Sequence, residues 1–430
     1  DFCLSRGLGD VYKRQIHRCL MFRSQKLMTE NWTKGVGPCH SSNMSKDVRH
    51  SAPRAGIIGA GFMGAVHSRA IRASGAALVG LASSSKRSAE NAAAKLGAAV
   101  AFASPAELID SNDVDVVHIC TPNKTHAAFA TAALEAGKHV VCEKPLAMSA
   151  GEARELANLA QSLGLIAAVP FVYRYHVMAR EARARIAASN APVHSVQGVY
   201  LQDWLASPTA DDWRVDSAEG GKSRAFADIG SHLIDAAEFI SGQRIERLSA
   251  LTHTVHEHRG GRAHVDTEDA AMLIAEFTNG ARGVFHVSQV MRGHKNGLTV
   301  EVGTADSTVR FEQETPERLW LATLDGTRSI ERDDPGLSED AKRLVRVPVG
   351  HPMGYQDAFN AFVDDVYAAI AGDVREGLPT FADGARAAEI TDAVLRSSSN
   401  GMWVSPTDVP RSQFDHRAPE SNSFHDALAR

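Results

Sequence analysis

The chain has 430 residues, 44% apolar and 23% charged, with a formal charge of −5. That is core material for two or three domains and too little positive charge for a dedicated nucleic-acid surface. No run approaches the ~18 apolar residues that would cross a bilayer.

Five scattered cysteines without a Cys-x-x-Cys pair make no disulfide framework, and a reducing cytoplasm is the expected compartment. Residues 1–50 show no sustained helix or strand period and no secretory pattern. The opening DFCLSRGLGDVYKRQ resembles translated adapter read-through, which makes Met44 the expected start. The segment is set aside as a disordered or non-native extension; a partner-binding arm is the other reading. From residue 54 the chain becomes regular. A strand is expected at 55–60, a helix over about 61–74, a strand at 78–82 and a helix at 86–96. Strands follow at 114–120 and 139–142 with a helix at 124–136 between them, then a helix at 150–163 and a strand at 165–171. Strands alternating with helices imply a parallel, doubly wound dinucleotide-binding domain over 51–170.

Beyond 171 the rhythm changes. After a helix at 177–188 come strand-like runs at 193–201, 247–256, 270–277, 282–290, 298–302 and 308–311. A helix at 229–240 lies among them, and late helices are expected at 356–371 and 382–397. Consecutive strands without intervening helices suggest an α+β domain over 171–400 built on an open, predominantly antiparallel mixed sheet. Residues 401–430, rich in Ser, Pro and Asp, read as a tail.

The first chemical signal is Gly59-Ala-Gly61-Phe62-Met63-Gly64, a Gly-x-Gly-x-x-Gly turn between strand and helix. Gly59 permits the turn, Gly61 lets backbone approach a pyrophosphate, and Gly64 allows close packing. The helix start offers free N–H donors to phosphate. After the second strand the chain reads Ser83-Ser84-Ser85-Lys86-Arg87, with no carboxylate before Glu90. Hydroxyls and cations there suit a 2′-phosphate, so NADP is favoured over NAD; a serine helix cap beside solvated cations is the plain alternative. Glu143-Lys144-Pro145 follows a strand on the ligand side of the sheet, where a partly desolvated lysine can exchange a proton. Downstream, Asp228 and His232 are four apart at a helix start and would share a side, so that the acid could orient the imidazole. Taken singly, the lysine reads as a surface residue and the Asp228/His232 pair as a cap and a core histidine.

Together, the glycine turn, Thr121-Pro122-Asn123 with His126, Glu143-Lys144-Pro145, and Asp228-x-Gly230-x-His232-x-x-Asp235 resemble the Gfo/Idh/MocA oxidoreductase family. The likeness runs from about residue 56 to the late helices. It implies a Rossmann domain, a second open-sheet domain, and substrate between them. It further implies that Lys144 contacts substrate hydroxyl and cofactor, with His232 the leading acid/base and Asp228 assisting. Thr121, Pro122 and Asn123 would line the cofactor path, His126 would shape that loop, and Asp235 would hold its helix. Arg174 matches a polar position of the family and would contact the cofactor, whereas Tyr173, an expected substrate contact, departs from it. Tyr355 would approach the nicotinamide or stack in the core.

The 202–224 connection places Gln202, Asp203, Trp204, Trp213, Arg214, Lys222 and Arg224 together. Hydrogen-bonding groups beside indoles suit a polyhydroxylated ring, so a sugar, cyclitol or sugar derivative is the expected substrate. Neither the histidines nor the cysteines have metal-ligand spacing, and no metal is expected. The competing functions are a non-catalytic NAD(P)-binding sensor and a reductase or dihydrodiol dehydrogenase acting on a non-sugar carbonyl. An exposed face of the second sheet would invite a homodimer or homotetramer; no nucleic-acid or membrane partner is expected.

Overall fold

The computed structural model describes residues 52–261 and 264–407; the expected extension up to residue 50 and the tail beyond 407 lie outside the described residues. The first sheet contains β1 (Arg54–Ile58), β2 (Ala77–Ala82), β3 (Val100–Ala101), β4 (Val116–Ile119), β5 (His139–Cys142) and β6 (Ala167–Ala168). It is parallel throughout in the order β3-β2-β1-β4-β5-β6. Its inner strands β1, β4 and β5 are buried on both faces, as near-continuous Val, Ile and Ala runs require. The crossovers are α1 (Phe62–Ala73), α2 (Lys86–Leu96), α3 (Pro105–Asp110), α4 (His126–Glu135) and α5 (Ala150–Leu163). The serines before α2, α3 and α5 cap them through Ser85, Ser104 and Ser149, supplying acceptors for otherwise unpaired N–H groups.

The second sheet has eight strands: β7 (Val193–Leu201), β8 (Ile245–His253), β9 (Ala270–Phe277), β10 (Arg282–Ser288), β11 (Gly297–Thr304), β12 (Ser307–Glu312), β13 (Arg318–Thr323) and β14 (Gly326–Glu331). Their order is β14-β13-β12-β11-β7-β10-β9-β8, antiparallel except for the parallel β7/β10 pair. This is the Rossmann-like sheet plus mostly antiparallel mixed sheet expected from the change of rhythm. The inner face packs on α6 (Val177–Ala188) and α7 (Ser231–Ser241), while α8 (Tyr355–Ile370) lies along α1 and α9 (Phe381–Asn400) along α5 and β8.

Several boundaries differ from expectation for local reasons. The run at 165–171 keeps only two strand residues, because Pro170 has no N–H to continue the ladder and the chain turns there, Phe171 N bonding Val169 O. The helix expected from 229 begins as a π turn, Phe226–Gly230, before α7. The short β3 and α3 and the β13/β14 hairpin are additions. After α9 the chain pairs once more with the sheet, Val404 bridging Leu248.

Candidate active site

A cleft of about 1250 Å³ opens where the C-terminal ends of the first sheet's strands face β7 and the start of α7. One end is the glycine turn. Gly59 has φ 108°, and a Cβ there would lie 2.5 Å from Cys120 O, so only glycine fits. Gly61 caps α1 without a side-chain hydrogen bond and has open space around its Cα. That leaves the first-turn N–H groups available to an anion. Gly64 packs against Gly59 O. Gly59, Gly61, Phe62, Met63, Ser83 and Ser84 line the cleft. Gly64, Ser85, Lys86 and Arg87 do not; Ser85 caps α2 and the two cations are exposed.

The middle of the cleft is built from two loops. Thr121, Pro122 and Asn123 line it, tied across to the second half by Asn123 Nδ2 donating to Gly220 O at 2.9 Å and by the Lys124–Glu219 ion pair at 2.6 Å. His126 places its ring nitrogens 2.8 Å from both Thr121 O and Pro145 O. Both partners are acceptors, so the neutral ring donates to only one of them while lying between this loop and Glu143-Lys144-Pro145. Tyr355, at the start of α8, reaches the cleft beside Met63, 3.9 Å from its sulfur.

Lys144, Asp228 and His232 all line the same cleft. Lys144 Nζ donates to Asp228 Oδ1 at 2.5 Å and to Asp228 O at 2.9 Å. The other carboxylate oxygen accepts from Gln289 Nε2 at 2.8 Å, and Arg214 Nε stands 3.7 Å from Oδ1. Burial pushes the Asp228 carboxyl up, but the charges of Lys144 and Arg214 outweigh it and hold it below the usual range. Asp228 does not orient the imidazole by a hydrogen bond: the acid is taken by Lys144 and Gln289, and His232 Nδ1 is buried without a partner. His232 packs edge-on against Phe171 and Tyr173. Burial, and then the Lys144 charge, push it down to about 3, so the ring is uncharged at neutral pH.

Buried Glu268 sets up this helix start. Its carboxylate accepts from Ser223 Oγ at 2.7 Å, Arg224 N at 3.0 Å and Phe226 N at 2.9 Å. These bonds fix the turn that leads into the π segment carrying Asp228.

At the far end stand Tyr173, Tyr200, Gln202, Trp213, Arg214 and Asn296. Tyr173 and Tyr200 share a hydroxyl contact of 2.6 Å, and Asn296 Oδ1 accepts from Tyr200 at 2.6 Å and from Gln202 Nε2 at 2.9 Å. Arg214 lies over the Trp213 ring, 4.4 Å from its centroid. Two expected contacts are corrected. Trp204 is not part of the lining and instead donates its N–H to Gln202 Oε1 at 2.8 Å. Arg174 is buried away from the cleft, bonded by Asp235 and Asp383 and lying over Phe239, because an unpaired guanidinium there would be costly. Sequence reasoning missed Tyr200, Gln289 and Asn296. The parallel β7/β10 pairing brings the strand ends of Gln202 and Gln289 side by side, Gln202 N bonding Ser288 O.

A family model described as an oxidoreductase family with NAD-binding Rossmann fold matches residues 53–171, and the GFO/IDH/MocA C-terminal domain model matches 180–310. A levoglucosan dehydrogenase of Pseudarthrobacter phenanthrenivorans is 31% identical over 397 residues, 83% of this chain and 98% of the relative. The chain belongs to the Gfo/Idh/MocA oxidoreductase family. Among solved structures of similar proteins, an oxidoreductase domain protein from Kribbella flavida is 34% identical with TM-score 0.77, covering 83% of this chain and 99% of the other. Levoglucosan dehydrogenase in complex with NADH and L-sorbose is 30% identical with TM-score 0.77, covering 82% and 98%. Like its family, the chain is an oxidoreductase with an NAD(P)-binding Rossmann fold. Among the described residues no cluster of His, Cys, Asp or Glu could hold a metal ion, and no helix is long and apolar enough to cross a membrane.

Proposed function

We propose that the protein transfers hydride between a nicotinamide cofactor and a CH–OH or C=O carbon of an uncharged sugar, cyclitol or sugar derivative. The observation that carries this reading is that Lys144 and His232 line one cleft. The glycine turn at its end fits a pyrophosphate by its free N–H groups and lack of side-chain bulk. When bound, the nicotinamide supplies the hydride acceptor or donor. The protein holds the substrate hydroxyl between the Lys144 ammonium and the uncharged His232 ring. In oxidation the imidazole accepts the hydroxyl proton while Lys144 donates a hydrogen bond to the oxygen on which negative charge develops. Asp228 and Gln289 hold the ammonium in place.

An uncharged substrate follows from how the cleft's cations are used. Lys144 is paired with Asp228, Arg214 with Asp212 at 3.1 Å, and Lys124 with Glu219. A phosphate or carboxylate would have to break one of these pairs. Gln202, Asn296 and the two tyrosine hydroxyls offer hydroxyl partners, with Trp213 as an apolar wall. The levoglucosan dehydrogenase likeness supports the same class. At the adenosine end, Ser83 and Ser84 with Lys86 and Arg87 just outside support NADP over NAD. The outer face of the second sheet carries exposed Leu251, Met272, Ile274 and Val284, with Leu251 opposite Met272 and Ile274 opposite Val284. That contiguous apolar face supports a homodimer or homotetramer. Cys120 and Cys142 are free thiols, in keeping with a cytoplasmic setting.

The test is nicotinamide reduction with both cofactors over a panel of neutral sugars, anhydrosugars and polyols, alongside sugar phosphates and non-sugar carbonyls. Turnover should appear among the neutral polyhydroxylated compounds. Turnover confined to phosphates or non-sugar carbonyls would overturn the substrate class, and cofactor binding with no turnover in either direction would support a sensor.

A further inference from the structure

Behind the cleft wall runs a chain of buried groups that the proton transfer above does not use. Glu143 lines the cleft with its side chain 8% exposed. Its Oε2 accepts from the Lys144 backbone N–H at 3.2 Å, and its Oε1 lies 3.0 Å from His67 Nε2. His67 Nδ1 meets His118 Nδ1 at 2.8 Å, and His118 Nε2 meets the Tyr367 hydroxyl at 2.8 Å. Both imidazoles are fully buried. Glu143 follows directly on β5, and His67, His118 and Tyr367 come from α1, β4 and α8, so the chain links the floor of the cleft to a helix of the second half.

Proton counting orients it. Burial, and then His67, push His118 well below its ordinary value, and burial pushes Tyr367 well above its own. His118 is therefore a neutral ring and Tyr367 a neutral phenol. In one arrangement Tyr367 donates to His118 Nε2, His118 Nδ1–H donates to His67 Nδ1, and His67 Nε2–H donates to the Glu143 carboxylate. Every donor then has an acceptor and Glu143 is ionised. Reversing the chain brings in one more proton, at His67 or Glu143, and turns the Tyr367 hydroxyl away from His118. Among the described residues that hydroxyl has no second acceptor, and leaving it unpaired in a buried site is costly.

The place of Glu143 gives the lock a use. A dinucleotide with its pyrophosphate on the glycine turn and its adenosine toward Ser83 and Ser84 would direct its nicotinamide toward the end of the cleft that Glu143 and Lys144 line. Lys144, His126, Cys120, Cys142 and Tyr355 are the other titratable groups around Glu143. Of these Lys144 is the cation, and its charge is taken up by Asp228. We propose that the Tyr367–His118–His67 chain locks Glu143 as a carboxylate at the nicotinamide end of the cleft, where it makes the protein favour the oxidised, positively charged cofactor over the reduced one. Glu143 acts on the cofactor by its charge, and the other three are positioning residues. The inference rests on the dehydrogenase reading above.

The test is binding without substrate: NADH or NADPH by fluorescence titration, and NAD+ or NADP+ by competition. Glu143→Gln keeps the shape and the acceptor for His67 but removes the charge. It should lower the preference for the oxidised form about tenfold while changing the Kd of the reduced form less than about threefold. Tyr367→Phe keeps the charge but releases the lock. With the chain no longer oriented, the variant's preference for the oxidised form at about pH 6 should fall below that of the wild type. An unmoved preference in Glu143→Gln, or a preference at that pH equal to the wild type's in Tyr367→Phe, would overturn the inference while leaving the dehydrogenase reading intact. A wild type that binds neither cofactor pair would overturn both.

Discussion

Replacing Lys144 by Met keeps the side-chain stem and removes the ammonium from Asp228. The two side chains are only 15% and 17% exposed. Removing one partner of a fully buried pair costs ~3–5 kcal/mol. Here the pair faces an open cleft, and Gln289 and Arg214 remain on the acid, so about 2 kcal/mol is expected at neutral pH. The sign with pH follows from Asp228. In the wild type its lowered value contributes stability above the ordinary carboxylate range, and this is lost as pH falls through the folded value. Without Lys144, burial dominates and the value moves above that of the unfolded chain. Stability is then retained in acid and lost as pH rises through it. The gap between the two proteins in urea unfolding should be about 2 kcal/mol near pH 8 and less than half that near pH 5. An equal gap at both pH values, or none, would refute the ion-pair account of this site.

Other outcomes follow from the same geometry. With His232 held near 3, kcat/KM for alcohol oxidation should show no histidine limb between about pH 5.5 and about pH 8; a limb near the ordinary histidine value would contradict the uncharged ring. Gly59→Ala puts a Cβ 2.5 Å from Cys120 O at φ 108°. Cofactor affinity should fall at least tenfold by fluorescence titration, with a loss of about 2 kcal/mol or more in urea unfolding. Met272→Lys combined with Ile274→Glu places charge on the apolar outer sheet face and should shift light scattering toward monomer without lowering Tm by more than a few degrees. Exchanging Ser84 for Asp should raise the ratio of kcat/KM with NAD to that with NADP by at least tenfold.

The first sheet was legible because each strand is a short apolar run closed by a capped helix, and the glycine turn marks the ligand side without reference to anything distant. Lys144 and His232 were legible as residue types beside recognisable turns. Their neighbours were not. Gln289 reaches Asp228 because β10 runs parallel to β7 inside a largely antiparallel sheet, a pairing that alternation along either strand does not encode. Tyr200 sits at an ordinary strand position and Asn296 in the bend before β11, and both acquire meaning only through the hydroxyl cluster with Tyr173. The i to i+4 spacing of Asp228 and His232 suggested a pair, but a lysine from 84 positions earlier in the chain took the acid. Arg174 was read as a ligand contact because the chain does not reveal that Asp235 and Asp383 converge on it.

The most direct measurement is the rate of hydride transfer in a single turnover, followed by nicotinamide absorbance on mixing the cofactor-bound protein with a neutral sugar that it oxidises. The wild type and His232→Gln are compared alongside their cofactor Kd values. The account predicts a rate lower by a factor of about 100 or more in the variant, with Kd within about threefold. Hydride transfer at the wild-type rate in His232→Gln would contradict it.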